Sequence, residues 1–83
     1  MELDIETIRS KYDAVLSGTI TREEASDWAI SMIKCNDEGK LVITSDQDHE
    51  KILEALVFLG MYDMKVSPTQ YLYQEEDLKN NRP

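Results

Sequence analysis

His49 is the one imidazole in the chain, and Asp46, Asp48 and Glu50 stand beside it, so acid–base or metal chemistry has to start there. A general base needs a nucleophile or an orienting partner within hydrogen-bond reach. Residues one apart on a helix do not face each other, so the flanking acids do not supply that partner. A capping or surface role for His49 accounts for the same residues. Asp37-Glu38 and the run from Asp46 to Glu50 are rich in oxygen ligands, yet they lack the central glycine and closing glutamate of a calcium loop. Cys35 is the single cysteine, with no second thiol for a disulfide or a zinc site. The serines at 17, 26, 31, 45 and 67 form no nucleophile elbow. Glycines occur only at 18, 39 and 60, too dispersed for a phosphate loop. These residues imply no enzyme, no metal and no cofactor.

Two surfaces carry chemistry of another kind, the recognition of a partner. Glu23 and Asp27 are like charges one helical turn apart, and Ile30 points the same way, outside the apolar stripe of its helix. An acidic pair beside a stray hydrophobe suits a basic partner with an apolar notch. An ordinary solvated face, with Ile30 partly covered, accounts for it equally. Tyr71 and Tyr73 with Glu75, Glu76 and Asp77 form the second surface, since tyrosine beside carboxylate stacks on and hydrogen-bonds to arginine and lysine. The plainer alternative has the tyrosines closing the core and the acids opening a helix turn.

Charge points the same way. Seventeen acids against nine bases leave a net charge of −8 on 83 residues. Such a field repels nucleic acid and anionic membrane and attracts basic surfaces. The chain is read as a single helical domain over residues 1–83, with 80–83 as a fraying tail. No stretch approaches the roughly 20 apolar residues of a membrane span. The start, Met1-Glu2-Leu3-Asp4, lacks the basic and apolar regions of a signal peptide, so a cytoplasmic location is expected.

The elements that must position these residues are mostly helical. Leu3 to Ser17 forms a first helix, with Ile5, Ile8, Tyr12, Val15 and Leu16 on one stripe, Asp4 as cap and Gly18 as its left-handed stop. Thr21 and Glu24 have capping-box spacing and open a second helix from Arg22 to about Cys35. Its stripe of Ala25, Trp28, Ala29, Met32 and Ile33 puts the only tryptophan in the core. Leu41 to Thr44 is an extended connection laid across the helices, with a short bridge to Lys65-Val66 as the alternative. Ser45 or Asp46 caps a third, central helix that ends near Leu59, with Gly60 as its stop. Ser67-Pro68-Thr69-Gln70 has the form of a fresh helix start, Val66 stapling to Tyr71, and Tyr71, Leu72 and Leu78 lining the last helix. The fold expected is all-α, a small bundle of three or four helices with an extended connection before the third.

The run Leu16-Ser17-Gly18-Thr19-Ile20-Thr21-Arg22-Glu23-Glu24-Ala25-Ser26-Asp27-Trp28-Ala29 resembles a pattern of small, acidic, uncharacterised bacterial proteins. In these a Leu-x-Gly turn leads into Thr-Arg-Glu-x-Ala and a Trp-Ala pair. The tail Tyr71-Leu72-Tyr73, with Glu75-Glu76-Asp77-Leu78, is similar as well. In type, such proteins resemble the immunity proteins that neutralise bacterial toxins. The function expected is therefore non-enzymatic binding of a basic protein, in its concrete form inhibition of a basic toxin, with no nucleic acid and no membrane as partner. Glu23, Asp27, Ile30, Tyr71, Tyr73, Glu75, Glu76 and Asp77 are the expected partner-binding residues. The alternative is a self-associating regulatory or scaffold module, as a homodimer, joined through Ile30, Met61, Tyr62 and Met64.

Overall fold

A computed structural model describes residues 2–43 and 48–83. Among these residues there are four helices, joined by two very small sheets. A short strand β1 (Glu2–Leu3) leads into α1 (Ile5–Leu16), α2 (Arg22–Asp37) and β2 (Val42–Ile43). Helix α3 (His49–Met61), the hairpin β3 (Lys65–Ser67) and β4 (Gln70–Tyr71), and α4 (Glu75–Asn81) complete the chain. The expected all-α bundle with an extended connection before the third helix is what forms.

The caps explain where the first two helices begin. Asp4 accepts the Thr7 backbone N–H at 2.8 Å, so α1 starts at Ile5 and Leu3 is left in the strand. Thr21 and Glu24 satisfy each other's backbone donors at 3.1 and 3.2 Å, a complete capping box. Gly18, at φ 79°, takes the left-handed turn that separates the two helices. Helix α2 outlasts its expected end at Cys35 and runs to Asp37, before Gly39 turns at φ 73°.

Helix α3 lies against the other three helices, most extensively against α2. Ile52, Leu56 and Leu59 are fully buried, as the nearly all-round apolar pattern requires. Tyr12 of α1 donates its hydroxyl to the Ala55 carbonyl at 2.7 Å, tying the two helices inside the core. Burial pushes the Tyr12 phenol well above its ordinary value of 10.0. Ser26 is wholly buried in α2 and donates to the Gly60 carbonyl at 2.7 Å. Trp28 is only partly buried, and the Lys11 ammonium stands 5.0 Å from the centre of its ring. The tryptophan is thus at the margin of the core, where its stem packs and its face meets a cation.

Three local expectations fail. Gly60 is no stop: α3 continues through it to Met61, with Ile30, Ile33 and Ala29 of α2 packed beside it. The segment Ser67 to Gln70 starts no helix, because β3 pairs antiparallel with β4 through a turn at Pro68-Thr69, with Lys65 opposite Tyr71 and Ser67 opposite Gln70. Proline in second position suits a tight turn as well as a helix start, and the strand pairing decides between them. Val66, which was to staple onto Tyr71, is exposed instead. Val42-Ile43 does pair, but in parallel with Glu2-Leu3 rather than with Lys65-Val66. Parallel partners need a long crossover, and the α1–α2 hairpin supplies it. The expected caps of the third helix, Ser45 and Asp46, lie outside the described residues.

Candidate functional site

Arg22 organises the residues expected to bind a partner. It follows the cap of α2, and its guanidinium lies 4.3 Å from the ring centre of Tyr62 and 3.8 Å from that of Tyr71. Its Nη1 also donates to the Tyr73 carbonyl at 2.9 Å and the Tyr62 carbonyl at 3.2 Å. Tyr71 donates its hydroxyl to the Glu23 carboxylate. That bond holds the Glu23 carboxyl below its usual range and raises the Tyr71 phenol. Glu23 of the first expected surface and Tyr71 of the second therefore meet, and the hairpin is fastened to α2 there. Tyr73 packs edge-on against Phe58, with ring centres 4.9 Å apart.

The other acids stand around this clamp. Asp27 and Ile30 are exposed one and two turns further along α2, and Gly60 of α3 lies beside Ile30. Glu75 and Glu76 are exposed in the first turn of α4, where carboxylates complement the helix dipole. Asp77 accepts the Gln74 backbone N–H at 2.9 Å and so helps start a helix whose cap is a glutamine. Sequence reasoning missed Arg22. Its partners lie about 40 and 50 residues away, and nothing local to it signals stacking.

The opposite end of the bundle has different chemistry. There the last turn of α4 and the residues after it approach the start of α3 and the middle of α1. A cleft of about 180 Å³ is lined by Lys51 and Glu54 of α3 together with Asn80, Asn81 and Pro83. Arg9 of α1 reaches the same segment, its Nε donating to the Pro83 carbonyl at 2.8 Å and its Nη1 to Glu6 at 2.8 Å. Arg82 grips Asp13 with both arms of its fork, at 2.8 and 2.9 Å. That pairing holds the Asp13 carboxyl below its ordinary value. His49 is exposed, and among the described residues no three of the His, Cys, Asp and Glu side chains are grouped to hold a metal ion. No described helix is long and apolar enough to cross a membrane.

A model of the YxzC family, described as the YxzC DNA-binding protein, matches residues 2–81 of this chain. The chain belongs to the YxzC family. An uncharacterized protein YxzC of Bacillus subtilis (strain 168) is 31% identical over 71 residues. These make up 86% of this chain and 52% of that protein, so the chain spans about half the length of the curated relative it matches. No solved structure matches. The resemblance to small uncharacterised bacterial proteins thus holds, whereas the likeness to immunity proteins does not.

The DNA-binding description of the YxzC family overturns the expected partner. A basic protein or toxin was read from the net charge, and nucleic acid was excluded on the same ground. The immunity-type inhibitor and the self-associating scaffold or homodimer both fall with that reading. The physical reason is that a net charge is a sum over the molecule, while contact is local. Six of the seventeen acids have partners within the fold: Asp4 and Glu24 cap helices, Asp77 supports one, Glu23 takes Tyr71, and Asp13 and Glu6 hold arginines. For self-association, Tyr62 is unsuited because it is only 1% exposed.

Proposed function

We propose that this chain is a non-enzymatic DNA-binding protein that docks on duplex DNA through a local surface, against its own net charge. The observation that carries this is its membership, over residues 2–81, of a family described as DNA-binding. The form of the molecule is compatible with it. The bundle is 37 Å long, whereas the Debye length is about 8 Å at physiological ionic strength. Acids more than a Debye length from a bound phosphate are therefore largely screened from it, whatever the net charge. Such a role places the chain inside the cell, where the chromosome is.

A local surface with only a few cations makes few phosphate contacts, so its affinity falls gently with salt. The slope of log affinity against log salt is about −0.9 per phosphate neutralised, which gives roughly −2 to −4 for two to four contacts. The test is fluorescence anisotropy of labelled duplex DNA, titrated with the full chain at about 50 and 200 mM salt. Saturable binding with a shallow salt slope is expected. No binding to synthetic duplexes or to fragmented DNA of the source cell, at either salt, overturns the reading.

A further inference from the structure

We infer that the DNA backbone is held at the cleft between the start of α3 and the end of α4, with Lys51 and Lys79 as phosphate contacts and Arg9 and Arg82 as exchangeable ones. This rests on the DNA-binding reading and adds the surface that performs it. One cationic side chain lines this cleft, and three more belong to the segments that border it, α1 and the end of α4. Lys51 lines the cleft, Lys79 and Arg82 belong to the last turns of the chain, and Arg9 is bonded to the Pro83 carbonyl. The two lysines make no ion pair among the described residues. Asn80 and Asn81 line the same cleft; the Asn81 amide donates one hydrogen to the Asp77 carbonyl at 2.8 Å, and each residue carries neutral donors suited to phosphate oxygens.

The two arginines are engaged, but only at the surface. Arg9 and Glu6 have side-chain exposures of 36% and 75%, and Arg82 and Asp13 of 38% and 56%. Exposed ion pairs of this kind contribute little to stability. A guanidinium fork that fits the carboxylate of Asp13 fits a phosphate in the same way. When DNA arrives, phosphate replaces carboxylate at a small cost, and the freed acids turn to water. Glu54 is the exception. Its carboxylate lines the cleft and repels a phosphate there, so it opposes binding.

Among the described residues, the Arg22 clamp offers no comparable surface. Arg22 is locked between two tyrosines, and Lys65 stands 5.2 Å over the ring of Tyr71, beside the Glu23 carboxylate. Lys65 therefore serves as a control that carries the same charge change at the far end.

The experiment is the duplex anisotropy titration repeated with Lys51→Gln, Lys79→Gln, Glu54→Gln and Lys65→Gln, each first shown by circular dichroism and melting to fold like the unaltered chain. Lys51→Gln and Lys79→Gln should each weaken binding several-fold and reduce the salt slope by about 1. Glu54→Gln should tighten binding, an effect that misfolding does not produce. Lys65→Gln should leave binding within twofold of the unaltered chain, about 0.4 kcal/mol at most. Binding that survives both lysine changes, or that Lys65→Gln weakens as much as they do, overturns the surface while leaving the DNA-binding reading intact. A chain that binds no duplex at all overturns both.

Discussion

Tyr12 shows what one side chain contributes here. Its ring is wholly buried and its hydroxyl is satisfied only by the Ala55 carbonyl. Ionising it inside the core is unfavourable, so its pKa is raised, and burial raises that of Tyr62 as well. The folded state then binds more protons than the unfolded one above pH 10.0, where unfolded tyrosines ionise. Stability from these groups is fully present below that pH and is lost as pH rises toward their folded-state values. Chemical denaturation followed from pH 8 to about 11 should show a loss of stability beginning near pH 10. Tyr12→Phe should flatten that decline, and at neutral pH it should cost about 1 kcal/mol for the lost hydrogen bond. An unchanged alkaline profile in Tyr12→Phe would show that Tyr12 is not the group responsible.

The elements are decided by glycines that are alike in sequence and unlike in role. Gly18 takes a positive φ with open space around it, so the constraint there is backbone conformation alone. Gly18→Ala should destabilise by about 1–2 kcal/mol. Gly60 is helical, and a methyl there would meet Ile30 and Ile33 at 3.5 and 3.6 Å, ordinary contact distances. Gly60→Ala should therefore stabilise the protein by roughly 0.5–1 kcal/mol, through a smaller loss of backbone freedom. Thermal melts of the two variants check both signs, and a destabilised Gly60→Ala would mean that α2 and α3 cannot accommodate a methyl. Both glycines follow an apolar helical stripe, so sequence spacing assigns them the same stop. Only the packing of α2 on α3 separates them.

At the scale of the whole molecule the governing quantity is where charge lies relative to the screening length. Asp27 is near the Gly60 end of α3, since its neighbour Ser26 bonds to that residue. Lys51 is nine residues earlier on the same helix, about 13 Å away along its axis. At about 0.15 M salt the Debye length is near 8 Å, and at about 0.01 M it is near 30 Å. Asp27→Asn should thus change DNA affinity little at physiological salt and strengthen it clearly at low salt. Anisotropy titrations at both salt concentrations test this. An equal effect at the two would show that Asp27 acts by contact rather than through the field.

The amino-acid sequence by itself determined the first three helices and the beginnings of the first two. Caps such as Asp4 and Thr21, and apolar spacing along α1 to α3, act within a few residues and leave a local trace. For Tyr71, Tyr73 and the acids of α4 it left two readings open, and the acids do open a helix turn while Tyr73 packs on the core. Only the tertiary structure decided how distant segments meet. Leu3 beside Ile43, Arg22 between Tyr62 and Tyr71, and Lys51 beside Asn80 are each joined by packing that no local pattern encodes. The same distinction explains the error about charge. A sequence yields the sum of charges, whereas recognition depends on the few that folding brings within a screening length of one another.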